Sequence, residues 1–206
     1  EAPRNVTPYH MTVEDNILSD LVARLEASAD YAGRRAAIRA FNAGSAWLKK
    51  GLALTPVKFG ISFTTAHLNQ AGALVHVYTD GSVHLNHGGT EMGQGLFVKV
   101  AQVVAEEFQI DLDQVKITPT NTGKVPNTSA TAASSGSDMN GMAAQAAAQK
   151  IKRRLTIFAA DAYKVSVADV AFLPNRVRVG NQEIPFKELV RRAYLGRVSL
   201  SATGYY

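Results

Sequence analysis

The chain has 206 residues, a net charge of +5, 46% hydrophobic residues, 19% charged residues and no cysteine. This length allows one large or two small domains, and the composition is that of an ordinary globular protein. The lack of cysteine excludes disulfides, thiolate metal ligands and iron–sulfur ligands from this sequence. No apolar run approaches the roughly 18 residues of a membrane span, and a cytoplasmic location is expected.

The N-terminal third of the chain predicts helices, followed by strands. Thr12 and Asp15 can cap a helix in which Val13, Ile17 and later leucines recur every four residues. A second helix is predicted over residues 31–42. From Gly51 onward, β-branched and aromatic residues predict strands at residues 52–63 and 71–79.

A hairpin turn is predicted at Asp80-Gly81, because a two-residue turn needs positive φ at both central positions. The strand then returns through residues 82–85. A two-residue turn pairs His76 with Leu85 and Val77 with His84, which places His76 and His84 on opposite faces of the sheet. They could not then bind one metal ion together, so no histidine metal site is predicted.

Two stretches of small residues each lead into a predicted helix. Loop one, residues 88–95, precedes a helix at 96–108, and a short strand is expected at 115–119. Loop two, residues 125–137, precedes a helix at 139–155, with Ser137 or Asp138 as its cap. Small side chains let the backbone approach a ligand, and amides at a helix start favour anions. The two loops therefore predict a phosphate-bearing ligand.

The identity of that ligand is left open by the spacing of the residues. Loop one lacks the Gly-Lys-Ser/Thr ending of a phosphate-binding P-loop, and it lacks the third glycine of the dinucleotide fingerprint. Glu91 is the one carboxylate within loop one, and a role as general base is not favoured for it. A basic cluster at residues 150–154 is expected at the solvated end of a helix, and nucleic acid is not an expected partner because no aromatic residues interleave with it.

The C-terminal part predicts strands at residues 170–172 and 177–179 around Pro174-Asn175, then a helix at 187–194. The expected fold class is α+β, with a mixed or antiparallel sheet and packed helices. A boundary is predicted near Ala160, with a first subdomain at residues 1–160, truncated at its N-terminal side, and a second, truncated one at 161–206.

Several ordered segments resemble the xanthine dehydrogenase/oxidase family. They are residues 58–64 (KFGISFT), 68–74 (LNQAGAL), 77–83 (VYTDGSV), loop one (GGTEMGQG), 125–134 (VPNTSATAAS) and 198–205 (VSLSATGY). The resemblance is weak before Trp47 and between Asp161 and Tyr194. Because long motifs agree in order, the chain is identified as an internal fragment of the molybdopterin-binding part of that family.

The resemblance implies roles for particular residues. Positions that would bind the molybdopterin cofactor are Met92, Gly93, Gln94, Gly95, Ala132, Ala133 and Ser134. Ala133 would also contact the molybdenum through its backbone. Phe63 and Thr64 would face the substrate, Phe63 packing against a purine ring and Thr64 hydrogen-bonding to it. No catalytic residue is expected in this chain, because the family's glutamate base is expected downstream of Tyr206.

The intact enzyme implied by the resemblance oxidises hypoxanthine or xanthine to urate, with the molybdenum cofactor performing the redox step. Iron–sulfur clusters and FAD are expected on other domains or subunits of an oligomeric enzyme, and no membrane partner is expected. The fragment by itself is expected to be inactive. Two alternatives stay open: an aldehyde oxidase-like molybdenum hydroxylase, and a noncatalytic phosphate- or nucleotide-binding module.

Overall fold

A computed structural model describes residues 4–8, 10–57, 59–61, 63–124 and 128–206. The chain forms two compact units, Glu1–Phe59 and Gly60–Tyr206. Within the described ranges, none of the helices combines the length and the apolar character needed to span a bilayer.

Where the structure describes the first unit, it contains two helices, α1 (Leu18–Ser28) and α2 (Tyr31–Gly44). Helix α2 confirms the helix predicted over residues 31–42. The predicted start of α1 is wrong, because Thr12 lies in a short bridge with Val6 that keeps its backbone extended. The side-chain oxygen of Asn16 instead accepts a hydrogen bond from the Leu18 N–H, at 3.2 Å.

The strand predicted over residues 52–63 is also wrong for the part of that segment that the structure describes. Val57 is 82% exposed and Phe59 is 67% exposed. Strand-forming side chains are stabilised by neighbours across a sheet, and these side chains have no such packing.

The described part of the second unit contains a four-stranded sheet, a three-stranded sheet and three α-helices. In chain order they are β1 (Gly72–Val77), β2 (Val83–His87), α3 (Leu96–Phe108), β3 (Val115–Ile117), α4 (Gly136–Tyr163), β4 (Val170–Leu173), β5 (Arg176–Val179), β6 (Gln182–Pro185), α5 (Phe186–Leu195) and β7 (Ser201–Tyr205). The larger sheet has the order β3-β2-β1-β7, and the smaller has the order β4-β5-β6. The predicted α+β class is confirmed.

The core lies between the larger sheet and helices α3 and α4. Alternate residues of β1, such as Val75 and Val77, are buried on one face, as a half-covered strand requires. Helix α4 presents a stripe of alanines to β7, and this allows very close packing. A Cβ atom on Gly204 of β7 would lie 1.9 Å from the Ala143 carbonyl oxygen, so position 204 has no room for a side chain.

The β1–β2 hairpin corrects the predicted register. Gly81 has φ of +90° and its N–H donates to the Tyr78 carbonyl, while the Tyr78 N–H donates to Ser82. The turn therefore contains three residues, with glycine in the left-handed position. His76 consequently pairs with His84, and Val77 pairs with Val83. The two histidines share a face of the sheet, so the predicted placement on opposite faces is wrong. Among the described residues, no group of three or more metal-binding side chains forms.

Helix α4 begins earlier and ends later than predicted. Ser135, rather than Ser137 or Asp138, is its N-cap residue, and no side chain accepts from its first amides. The basic cluster at residues 150–154 therefore lies in the middle of the helix. Lys150 and Arg154 donate to carbonyl oxygens of Thr203 and Ser201, on the edge strand β7. These hydrogen bonds satisfy acceptors that an edge strand would otherwise expose.

The C-terminal segment folds around Asn175, which has φ of +60°. Its side-chain oxygen accepts from the Asp111 N–H, and its carbonyl accepts from the Phe186 N–H. The strands predicted near 170–172 and 177–179 and the helix near 187–194 are present, whereas β6 was not predicted. The predicted boundary near Ala160 lies inside α4, and β7 joins the larger sheet of the same unit. The division into two family subdomains stays a prediction.

Candidate active site

The topology of the larger sheet brings loops one and two together at the C-terminal ends of two neighbouring strands. Strands β2 and β3 are parallel neighbours, with Val83 opposite Val115. Loop one follows the C-terminal end of β2, and the segment containing loop two follows the C-terminal end of β3. Ligand sites in α/β units form at such carboxyl ends, so both loops lie where a site is expected.

Loop one is organised by the carboxylate of Glu91. Its Oε1 atom accepts from the Gly93 and Gly95 N–H groups at 2.8 and 3.0 Å, and its Oε2 atom accepts from the Phe97 N–H at 3.0 Å. These hydrogen bonds, chiefly that from Phe97, lower the pKa of Glu91. The sequence predicted that amides at the start of α3 would bind an anionic ligand. In the structure, these amides donate to the carboxylate of Glu91, which belongs to loop one itself.

Gln94 completes the internal bonding of loop one. Its side-chain oxygen accepts from the Met92 N–H at 2.6 Å, and its side-chain nitrogen donates to the Thr90 carbonyl at 2.9 Å. Gly93 and Gly95 have φ of +99° and +76°, which favours glycine at both positions. Apart from each glycine's own chain neighbours, no atom of the described residues lies within 4 Å of the point where either glycine would carry a Cβ, so this side of loop one is open.

Loop two places two consecutive non-glycine residues in the left-handed region. Ala133 has φ of +53° and Ser134 has φ of +54°. This conformation costs about 1–2 kcal/mol per residue in an L-amino acid. The turn is held by Ser135, whose N–H and hydroxyl both donate to the Ala132 carbonyl. Residues 125–127 of the predicted loop two lie outside the described residues.

The two loops contact each other directly. The Thr90 N–H of loop one donates to the Thr131 hydroxyl of loop two at 2.8 Å. A Cβ on Gly88 would overlap the side chain of Thr128, at 2.1 Å. Gly88 is therefore required by the approach of loop two, a reason for glycine that the sequence pattern did not distinguish from ligand contact.

A buried polar pair, His87 and Asn140, lies at the base of the loops. The His87 Nδ1 atom accepts from the Gly89 N–H at 3.1 Å, so the ring proton is on Nε2. The Asn140 side chain donates to the Gly136 carbonyl in the first turn of α4. Burial lowers the pKa of His87 to about 4, and the nearby Asn140 opposes this shift. His87 Nε2 and Asn140 Oδ1 make no hydrogen bond of good geometry with the part of the chain described.

A cleft of ≈ 430 Å³ lies between the loops and the first turns of α3 and α4. Its walls include most of the predicted cofactor positions together with residues that the sequence did not single out. The predicted residues are Met92, Gln94, Ala132, Ala133 and Ser134, and the additional ones are Leu96, Lys99, Thr131, Gly136 and Ser137. Lys99 contributes a cation to this wall. It could have been found from its place one turn into the helix after loop one.

The predicted substrate residues lie before β1. Phe63 is partly buried and Thr64 is exposed. The side chain of Asn69 holds the Phe63 backbone, accepting from its N–H at 2.9 Å and donating to its carbonyl at 2.8 Å. The next residue, Gln70, accepts from the Ser129 N–H of loop two. The consecutive residues Asn69 and Gln70 thus connect Phe63 to loop two, one hydrogen-bonding to each, although neither Phe63 nor Thr64 lines the cleft itself.

The chain belongs to the molybdopterin cofactor-binding domain family, whose model matches residues 24–206. Among curated proteins, it is 44% identical over 201 residues to the xanthine dehydrogenase of Blastobotrys adeninivorans, which covers 97% of this chain and 13% of that protein. It is 46% identical over 202 residues to the xanthine dehydrogenase/oxidase of Mus musculus, covering 98% of this chain and 14% of that protein.

Another relative has a different name. The nicotinate hydroxylase of Emericella nidulans is 46% identical over 202 residues, covering 97% of this chain and 14% of that protein. The chain therefore spans about one seventh of the length of these curated relatives. High identity extends to relatives named for different substrates.

Solved structures share the fold. Quinoline 2-oxidoreductase from Pseudomonas putida 86 superposes with a TM-score of 0.80 at 20% identity, covering 98% of this chain and 28% of that chain. The CO dehydrogenase of Oligotropha carboxidovorans superposes with a TM-score of 0.70 at 20% identity, covering 98% of this chain and 27% of that chain. At these identities the likeness concerns the fold.

The cleft fits an anionic, extended cofactor. Its loop-two wall is built from small residues, and the two left-handed residues Ala133 and Ser134 turn the backbone sharply beside the open space. On the loop-one wall, Met92 and Gln94 line the cleft, the glycines at 93 and 95 carry no side chain, and Lys99 supplies a positive charge. Molybdopterin would supply the redox chemistry, while the residues of this chain would bind and orient it.

Proposed function

We propose that this chain is part of a molybdenum hydroxylase and supplies one wall of its cofactor site. The observation that carries the proposal is the cleft in which loops one and two face each other, at the carboxyl ends of two parallel strands. On the loop-one side, Met92, Gly93, Gln94 and Gly95 would bind the cofactor, and Met92 and Gln94 line the cleft itself. On the loop-two side, Ala132, Ala133 and Ser134 line the cleft, and the Ala133 backbone would contact the molybdenum.

Charge in the cleft supports binding of the phosphate-bearing end of molybdopterin. Lys99, which carries the positive charge, lines the space together with Ser137. A hydrogen bond to a charged group contributes about 1.5–3 kcal/mol. Substitution Lys99→Met is therefore expected to weaken cofactor retention by ~10-fold or more, while Lys164→Met, at the far end of α4, is the matched control.

The experiment compares these variants in the full-length protein produced in a host that makes molybdopterin. Molybdenum is measured by elemental analysis, and the pterin is measured by fluorescence after oxidative release. We expect full loading for wild type and Lys164→Met and a clear loss for Lys99→Met. Absence of both molybdenum and pterin from the wild-type protein would refute the proposed function.

The proposed substrate is a purine, hypoxanthine or xanthine, which the whole enzyme would oxidise to urate. Phe63 would offer its ring to the flat face or edge of the purine, and Thr64 would hydrogen-bond to it. Asn69 supports this role because it fixes the Phe63 backbone through two hydrogen bonds. The catalytic base would come from elsewhere in the longer protein, as would iron–sulfur clusters and FAD on other domains or subunits.

A second substrate class is favoured by a specific observation, the 46% identity to a nicotinate hydroxylase. Steady-state assays of the full-length protein on xanthine, nicotinate and an aromatic aldehyde distinguish the three substrate classes. The purine proposal requires the highest kcat/KM for xanthine or hypoxanthine. A higher value for nicotinate would assign another heterocycle, and a higher value for the aldehyde would assign aldehyde oxidation.

The 206-residue chain by itself is expected neither to retain molybdopterin nor to turn over xanthine, because the remaining walls of the site would come from the rest of the protein. Stoichiometric molybdenum on the purified fragment would contradict this expectation. A noncatalytic nucleotide-binding role is disfavoured because Glu91 occupies amides of loop one that a phosphate would need. Specific ATP or NAD binding by the fragment, measured by calorimetry, would restore that role.

A further inference from the structure

We propose that Glu91 is a positioning residue, a built-in anion that holds the middle of loop one in the shape that faces the cofactor cleft. The expected consequence for molybdopterin retention rests on the proposed function. The structural part of the inference, the dependence of loop one on a carboxylate, can be tested independently of the cofactor.

The first support is the arrangement of hydrogen bonds. Both oxygens of the Glu91 carboxylate accept backbone N–H groups, two from loop one and one from the first turn of α3. A carboxylate at a helix start is stabilised by the positive end of the helix dipole. Glu91 therefore joins the flexible glycine pair, Gly93 and Gly95, to a rigid element.

The second support is the scarcity of other anchors for this part of the loop. The beginning of loop one is held by Thr131 and by Thr120, which donates to the Gly89 carbonyl. Beyond Thr90, the hydrogen bonds that the described residues make to residues 92–94 come from Glu91 and Gln94, which belong to the loop itself. The conformation of Gly93 is thus set locally, with Glu91 as the charged group.

The arrangement also argues against two other roles for Glu91. A general base needs a free oxygen and a pKa near the working pH, whereas both oxygens here accept hydrogen bonds and the pKa of Glu91 is lowered. A phosphate at the start of α3 would have to displace the carboxylate from the Gly95 and Phe97 amides. The anionic end of the cofactor would therefore bind on the Lys99 side of the cleft.

The test uses the full-length protein and two substitutions, Glu91→Ala and Glu91→Gln, with Glu106→Gln as the control. Glu106 is an exposed glutamate near the C-terminal end of helix α3, where its carboxylate accepts from Gln109, so its substitution removes one charge without touching loop one. Hydrogen–deuterium exchange is measured at single-amide resolution by mass spectrometry. Cofactor content is measured in the same samples from molybdenum and released pterin.

For Glu91→Ala, we expect the exchange protection of Gly93, Gly95 and Phe97 to fall by ~10-fold or more, together with cofactor content. Added formate should restore protection, because it can supply a carboxylate to the vacated amides. Sodium chloride at equal ionic strength and uncharged formamide should not restore it. A group that merely filled space would show no preference for the small carboxylate over formamide.

Glu91→Gln keeps one acceptor oxygen and is the milder variant if Glu91→Ala does not accumulate as folded protein. Its amide oxygen can still accept from two of the three N–H groups, so protection should be lost at one amide and largely kept at the others. Unchanged protection at all three amides in both variants would overturn the inference, as would an equal response to formate and formamide.

The outcomes separate this inference from the proposed function. Wild-type protein without molybdopterin would refute the function, while the exchange measurements would still decide the role of Glu91 in loop one. Wild-type protein with molybdopterin, combined with Glu91→Ala protein that keeps both its cofactor and its loop-one protection, would refute the inference alone. Loss of exchange protection and of cofactor in Glu91→Ala, but not in Glu106→Gln, supports both the positioning role of Glu91 and the proposed function.

Discussion

Substituting Gly204 by alanine tests how tightly the sheet is packed against the helix that carries loop two. The new Cβ atom would lie 1.9 Å from the Ala143 carbonyl oxygen and 2.6 Å from the Ala147 amide nitrogen. Both neighbours are backbone atoms of α4, so no side-chain rotation can relieve the overlap. Because α4 begins directly after loop two, a displacement of the helix would also move that wall of the cleft.

The expected cost follows from these distances. Since ordinary contacts of a Cβ atom begin near 3.4 Å, strand and helix must separate by more than about 1 Å. Overpacking of a core in this way costs about 1–3 kcal/mol or more. For a domain of this size, each kcal/mol shifts Tm by about 2–4 °C, so a fall of about 2–12 °C is expected.

Gly141, which lies in helix α4, provides a control substitution that should raise Tm instead of lowering it. A Cβ atom there would meet the Val103 side chain at 3.5 Å, which is an ordinary contact. Because glycine in a helix interior is about 0.8–1 kcal/mol less favourable than alanine, Gly141→Ala should raise Tm by about 2–4 °C. Thermal unfolding followed by circular dichroism measures both variants. A Gly204→Ala protein as stable as wild type would refute the close packing of β7 on α4.

Three further substitutions test the site. Thr131→Val removes the hydroxyl that accepts from the Thr90 N–H; it should cost about 1 kcal/mol and lower molybdopterin content, and unchanged content would contradict the importance of this link between the loops. His87 has a pKa lowered to about 4 in the folded protein, so the unfolded chain gains its proton first as pH falls from about 6.5. Stability should therefore decrease by roughly 3 kcal/mol between pH 6.5 and 4, and His87→Gln should flatten the dependence measured by urea unfolding at each pH. Asn69→Ala removes two hydrogen bonds to the Phe63 backbone and should raise KM with little change in molybdenum content; an unchanged KM would argue against Phe63 as a substrate residue.

Much of the secondary structure could be predicted from local patterns. Helix α3 begins and ends at the predicted residues, because Val100, Val104 and Phe108 repeat on one face and loop one provides a clear start. The strand prediction at residues 52–63 failed because β-branched side chains indicate a strand only where a neighbouring strand can receive them. That neighbour is a tertiary feature, and the local pattern does not contain it.

The hairpin shows why register is harder to predict than the presence of a strand. Asp80-Gly81 is compatible with a two-residue or a three-residue turn, and the choice moves every pairing by one position. In the structure, the Asp80 carboxylate accepts from both the N–H and the hydroxyl of Ser82, and Gly81 alone has positive φ in the turn. These hydrogen bonds favour the longer turn and bring His76 opposite His84.

For the candidate site, the sequence predicted the two loops, and their residues meet in one cleft. It did not predict what the glycines and the acidic residue of loop one do. Gly88 leaves room for the Thr128 side chain of loop two. Glu91 accepts hydrogen bonds from amides that the sequence pattern predicted to bind a phosphate. Both contacts depend on distances between backbone segments, which residue spacing does not encode. Lys99 was missed because a single lysine on an amphipathic helix resembles ordinary surface charge.

The cleft between loops one and two is the proposed site of the molybdenum cofactor. The most direct measurement is anomalous X-ray diffraction at the molybdenum absorption edge, from crystals of the full-length, cofactor-loaded protein. We expect a molybdenum peak next to the Ala133 backbone, with the pterin extending between Gln94 and Ser134 toward Lys99. A molybdenum peak outside this cleft would contradict the proposed site.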